Sequence, residues 1–64
     1  MAFIKTKKRF EVGEWGTTRR IVRCGSGYFE KGTKVKVIGI TYRGYDLEDE
    51  YGNTIYETGF DSIK

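Results

Sequence analysis

A single cysteine and no histidine among 64 residues leave this chain little but packing to hold it folded. Cys24 has no partner for an intrachain disulfide, and the usual zinc constellations have no ligands. A chain of this size hides only about 60% of the surface that its unfolded form exposes. The sequence therefore predicts one domain over residues 1–64 with a small, dense core. One Trp, five Tyr and four Phe bring large buried areas per residue, which argues against disorder although 33% of the residues are charged. A lone thiol without disulfide staples fits a reducing compartment better than secretion. Residues 1–10 carry four Lys/Arg and no apolar run of signal-peptide length. No segment approaches the roughly 20 apolar residues of a membrane span. A cytoplasmic protein without a membrane partner is the expectation, with residues 1–8 a flexible basic N-terminal segment.

Proline is absent, so nine glycines punctuate the chain. Runs of β-branched and aromatic residues predict strands at Thr18 to Cys24, Lys34 to Ile40, Tyr45 to Glu50 and Thr54 to Glu57. Arg9 to Val12 is a candidate fifth strand. Tyr51-Gly52-Asn53 between two strand-like runs predicts a tight hairpin, because a Gly-Asn pair supplies the positive φ that such a turn needs. On its first arm Tyr45 and Leu47 point inward and the interleaved acidic residues form a solvated face; on the second, Ile55 points inward. Val35 and Val37 alternate with Lys34 and Lys36, whereas Ile38 and Ile40 fall on the opposite parity. That conflict predicts a bulge near Gly39 that buries both sets as the sheet curls. Gly13, Trp15-Gly16 and Gly25-Ser26-Gly27 read as bends or loops. Phe60 to Ile63 reads as a short helical turn that drops Phe60 and Ile63 onto the core. About five short strands in so short a chain favour an all-β barrel over a two-sheet sandwich.

Lys31-Gly32-Thr33-Lys34-Val35-Lys36-Val37, the hairpin from Tyr45 to Tyr56 and the closing Phe60-Asp61-Ser62-Ile63 together resemble the small SH3-like barrels, in particular their KOW and Tudor-type members. The resemblance covers about half the chain. It implies a binding module, since such barrels engage peptides, nucleic acids or methylated side chains. The acidic-aromatic motif and proline-binding ring of signalling SH3 domains have no counterpart here. In style the chain is also similar to small phage and prophage proteins of this fold, which would place it in a host cytoplasm.

Three motifs bear on chemistry and each has a plainer reading. Gly27 to Lys34 has the glycine spacing of a phosphate-binding loop, but Thr33-Lys34 reverses the order in which lysine reaches phosphate and hydroxyl reaches magnesium. A loop entering a strand suffices. Asp46, Glu48, Glu50 and Glu57 echo a calcium loop, yet the glycine is one place late and no flanking helices are expected. A solvated strand face accounts for them. Cys24 would need an unusual lysine or carboxylate as its base to act as a nucleophile. Strand alternation puts it beside Val22, which predicts a buried structural thiol. No catalytic residue, metal ligand or cofactor is assigned, and the chain is read as a non-enzyme.

The net charge of +3 hides an asymmetry: residues 1–32 carry eight Lys/Arg and three Asp/Glu, giving +5, and residues 33–64 carry four and six, giving −2. Folded, this split gives either a dipolar surface or an even spread. Two binding hypotheses follow. One is a protein partner met through loops and exposed side chains, with Trp15, Tyr28, Tyr42 and Arg43 as candidates. The other is DNA or RNA, with Lys7, Lys8, Arg9, Arg19, Arg20 and Arg23 meeting phosphates while rings stack on bases. Arg19 and Arg23 share strand parity with Ile21, so that face is not purely ionic. The sequence is compatible with a monomer or a homodimer.

Overall fold

The computed structural model describes residues 10–25 and 27–64. Within them the chain is all β: β1 (Trp15–Thr17), β2 (Val22–Cys24), β3 (Gly27–Phe29), β4 (Lys34–Thr41), β5 (Gly44–Asp49) and β6 (Thr54–Ile55). β4, β5 and β6 form an antiparallel meander and β1 lies on the other side of β4, giving the order β1-β4-β5-β6; β2 and β3 form a separate two-stranded sheet. No ladder among the described residues joins the two sheets, so they do not make the closed barrel expected from the strand count. Among the described residues no helix is long and apolar enough to cross a membrane.

Alternation explains the inner face. Val35 and Val37 on β4, Tyr45 and Leu47 on β5 and Ile55 on β6 are buried together with Val22, Phe29 and Ile63. Val37 stands opposite Leu47, and Leu47 opposite Ile55, so the central layer is built from direct cross-strand neighbours. The register slips between Val37 and Gly39, the bulge that the parity conflict predicts. It turns Ile40 to stand opposite Tyr45. Full burial of both sets does not follow: Ile40 remains 38% exposed and Ile38 half-buried.

Tyr45 organises the edge of this core. Its ring lies edge-on between Phe10 (centroids 6.0 Å, interplanar 84°) and Phe60 (5.2 Å, 82°), an arrangement favoured by ring quadrupoles. Its hydroxyl accepts the Phe10 N–H (3.0 Å), and its carbonyl accepts both the N–H (2.9 Å) and the hydroxyl (3.0 Å) of Thr58. Gly44 beside it has φ +146°, and a Cβ there would collide with the backbone of Gly59.

Several boundaries differ from the expectations. Thr18 to Cys24 is not one strand: the chain leaves the first sheet after Thr18. The Thr18 hydroxyl, fully buried, donates to the Glu30 carbonyl (2.7 Å) and accepts the Thr33 N–H (2.9 Å). Arg19 N–H bonds the Ser62 carbonyl (2.8 Å) and Arg20 pairs with Asp61 (2.9 Å). These tertiary bonds hold residues 18–20 along the C-terminal segment instead of in a continuous ladder. Trp15-Gly16, expected as a bend, is strand, and the missing Cβ at Gly16 leaves room for the Phe10 ring. The Arg9 to Val12 strand is absent over its described residues; Glu14 N–H bonds the Glu11 carbonyl (3.0 Å) in a turn, and Arg9 lies outside the described residues. Residues 1–8 lie outside them as well.

The C-terminal helical turn is replaced by a hydrogen-bonded turn in which Ser62 N–H meets the Gly59 carbonyl (3.3 Å). Ile63 is buried and Phe60 half-buried, as expected. Ile63 bridges to Thr18, and Thr17 and Lys64 exchange both backbone bonds (3.0 and 2.9 Å). The chain end thus covers the outer edge of β1.

At the β5–β6 turn Gly52 takes positive φ (+90°), but Asn53 does not. Its contribution is polar: Asp49 accepts the N–H groups of Tyr51 and Asn53 (both 2.9 Å) and the Asn53 side-chain amide (3.0 Å). Burial pushes the Asp49 carboxyl up, but these hydrogen bonds outweigh it and hold the carboxyl below its ordinary value. β6 stops at Ile55, short of the expected Glu57, because Glu57 has φ +57°.

Gly44→Ala is expected to cost more than about 3 kcal/mol, much of a small domain's stability, whereas Gly27→Ala, where a Cβ meets nothing within 4 Å, leaves urea unfolding nearly unchanged. Because the folded Asp49 pKa is depressed, its stabilising contribution is present above the unfolded carboxyl pKa and fades as pH falls through the folded value. Thermal midpoints measured from pH 6 down to 2 are expected to fall less steeply in Asp49→Asn than in the unaltered protein.

Candidate binding surface

The β2–β3 hairpin carries two different faces. Val22 stands opposite Phe29 and Cys24 opposite Gly27 on one face, while Arg23 stands opposite Tyr28 on the other. By the same alternation Ile21 and Glu30 fall beside Arg23 and Tyr28. Val22 and Phe29 drop into the core, which fixes the hairpin and turns the Arg23–Tyr28 face outward. Around that outer face lies an open cleft of about 640 Å³, lined by Ile21, Arg23, Gly25, Gly27, Tyr28, Glu30 and Lys31. Tyr28 is 59% and Ile21 48% exposed. Among the described residues Arg23 and Lys31 form no ion pair. The cleft thus offers an aromatic ring, an aliphatic side chain and two cations opposed by one carboxylate.

Cys24 is exposed, which overturns its assignment as a buried thiol. It does share a face with Val22, but the hairpin tip overhangs the core, so parity no longer implies burial. Cys24 borders a second open groove of about 460 Å³, with Gly27, Tyr28 and Phe29 on one wall and Asn53, Thr54, Ile55 and Tyr56 on the other.

The remaining candidates lie apart. Trp15 stands on the solvent face of the four-stranded sheet in a cross-strand row with Lys36, Glu48 and Thr54; the Lys36 ammonium sits 5.9 Å from its ring. Tyr42 is 84% exposed in the β4–β5 turn, and the Arg43 guanidinium lies over its ring at 5.3 Å, bonds its hydroxyl (3.0 Å) and pairs with Glu57 (3.4 Å). That cluster is self-contained. Arg20 is engaged by Asp61, and Arg19 is exposed without an ion pair among the described residues. Lys7, Lys8 and Arg9 lie outside the described residues. The structure therefore brings together Arg23 with Tyr28, and Tyr42 with Arg43, and leaves Trp15, Arg19 and Arg20 elsewhere.

Sequence reasoning passed over Ile21 and Lys31 in the cleft and Tyr56 in the groove. The signal for the cleft was Gly25-Ser26-Gly27, read as a bend or loop: the strands on either side of it pair, Cys24 with Gly27, which puts Tyr28 opposite Arg23. Among the described residues no three His, Cys, Asp or Glu side chains converge as a metal site. No protein-family model, curated protein or solved structure matches the chain.

An exposed thiol on a hairpin tip is expected to react with a maleimide in native buffer within about threefold of its rate in the unfolded chain, since access controls such chemistry. Strong protection, read by mass spectrometry over time, would contradict the placement of Cys24.

Proposed function

We propose that this chain is a non-catalytic binding module, a small SH3-like barrel left open at one seam, that engages a protein partner through the outer face of the β2–β3 hairpin. One observation carries the reading: Ile21 and Tyr28 are held half-exposed around Arg23 and Lys31, which form no ion pair among the described residues, on an element whose other face is anchored in the core. A ring and an aliphatic group flanked by desolvatable cations have the composition of interaction hot spots. The SH3-like reading draws on the β4–β5–β6 meander and on the C-terminal turn that returns to β1.

A second reading has its own support. Arg19, Arg23 and Lys31 lack ion pairs among the described residues, and Tyr28 stands beside Arg23, which suits a single strand whose phosphates meet cations and whose bases stack. Glu30 inside the cleft opposes a polyanion, and this ranks the protein partner first.

Affinity capture with the unaltered protein and with an Ile21→Asp, Tyr28→Ala variant, after nuclease treatment, tests the first reading. A defined protein retained by the former and lost by the latter is the expected result. Labelled single-stranded DNA and RNA titrated from 50 to 300 mM salt test the second. Tight binding that falls steeply with salt, and that weakens in Arg19→Ala, Arg23→Ala, would put nucleic acid in the place of protein.

A further inference from the structure

The two sheets treat their edges unequally. The outer edge of β1 is covered by the C-terminal segment through the Thr17–Lys64 and Arg19–Ser62 backbone bonds. Among the described residues the outer edge of β6 has no such cover. Asp49 N–H bonds the Asn53 carbonyl (2.9 Å), so the ladder bonds of this antiparallel pair fall at residues 53 and 55, and alternation turns the N–H and C=O of Thr54 away from β5. Tyr56 N–H makes no hydrogen bond among the described residues. Across the groove, Cys24 pairs with Gly27 over a two-residue loop, which makes them a hydrogen-bonded pair and turns the N–H and C=O of Tyr28 outward from β3. Two strand edges without a ladder partner among the described residues therefore line one open groove of about 460 Å³.

The groove's electrical character narrows its occupant. Cys24, Gly27, Tyr28, Phe29, Asn53, Thr54, Ile55 and Tyr56 include no charged side chain, and the run Tyr51 to Tyr56 is uncharged throughout. Folded proteins commonly guard an exposed edge with lysine, proline, a bulge or a very short strand; β6 has none of the first three and is guarded by its two-residue length alone. A charge brought into this groove would lose hydration without meeting a counter-charge among the described lining residues. The lining is complementary to uncharged backbone and to small or apolar side chains.

We propose that the groove receives an extended, uncharged segment of a partner protein, which adds as a strand to the β6 edge with β3 as the far wall. Thr54 and Tyr56 supply main-chain bonds, as in other strand-addition complexes, and side chains on alternate positions face the exposed Cys24. The proposal rests on the protein-binding reading in that its occupant is polypeptide, but it assigns a different surface.

The test is a selection from a display library of random eight-residue peptides on the unaltered protein, followed by amide hydrogen exchange and backbone N-methylation of the selected peptides. Uncharged peptides that protect the Thr54 and Tyr56 amides are expected. Their affinity should fall at least about tenfold in Thr54→Pro, which removes a donor at an edge position where proline is tolerated, and should persist in Thr54→Ala. N-methylation of the peptide's bonded amides should abolish binding to the unaltered protein, a readout that survives should Thr54→Pro unfold. Peptides indifferent to N-methylation, peptides mapping to Ile21 and Arg23, or no selected peptide would each overturn strand addition. Concentration-dependent protection of Thr54 without peptide would assign the edge to a second copy and overturn it too. The affinity capture with the Ile21→Asp, Tyr28→Ala variant reads the hairpin's outer face and stands or falls separately.

Discussion

The packing of Tyr45 between Phe10 and Phe60 is the interaction on which the rest of this small structure depends. With no disulfide available, the chain's N-terminal and C-terminal segments need a shared attachment, and Tyr45 supplies one from the middle of the sheet. Its hydroxyl holds Phe10, its ring holds Phe60 and its carbonyl holds Thr58. The arrangement requires Gly44 next to it, since a side chain there would push Gly59 away. Once residues 58–62 are fixed, the Thr58 and Ser62 hydroxyls close on each other (2.9 Å) and Ile63 can bridge Thr18. A ring thus performs in this fold the tethering that small secreted domains assign to covalent links.

That tethering also decides how charge is distributed. Arg20 from the basic half meets Asp61 from the acidic half, and the solvent face of the sheet alternates Lys36 with Glu48 across neighbouring strands. Among the described ion pairs, Arg20–Asp61 alone joins the two halves. Surface pairs of this kind contribute little stability, but they leave Arg19, Arg23 and Lys31 as cations without ion pairs among the described residues. Four of the five net positive charges of residues 1–32 belong to residues 1–9, outside the described residues; of the described cations, Arg23 and Lys31 stand at the hairpin.

Much of the four-stranded sheet was legible because its residues report their own environment. Tyr45, Leu47 and Ile55 alternate cleanly, Gly52 marks the turn, and the parity change between Val37 and Ile40 announces the bulge. The first third of the chain was not legible in the same way. Thr18 to Cys24 has strand composition throughout, yet buried bonds from Thr18 to Glu30 and Thr33 break it, and those partners lie 12 and 15 positions away. Cys24 shows the limit of parity: alternation identified its face correctly, but only the length of the hairpin beyond the core decides whether that face is covered. Trp15, Tyr28 and Tyr42 were recognisable as candidates, whereas their separation on the surface depends on registers that composition does not encode.

The hairpin's two sides pose one energetic question. Val22 and Phe29 use the inner face of β2–β3, and among the described residues nothing covers Ile21, Tyr28 or the seam beside Cys24. Burying half-exposed Ile21 and Tyr28 would contribute on the order of 1–2 kcal/mol each, while association costs at least about 4 kcal/mol in lost freedom before any side chain is ordered. The cleft alone falls short of a durable complex. Main-chain pairing along β6 would add directional bonds at groups without a partner among the described residues, and would do so without requiring further large side chains from this chain. The hairpin stands between these two surfaces, with its outer face lining the cleft and Cys24, Gly27, Tyr28 and Phe29 lining the seam, so a partner that used both would offset the association cost through one element that the core already holds in place.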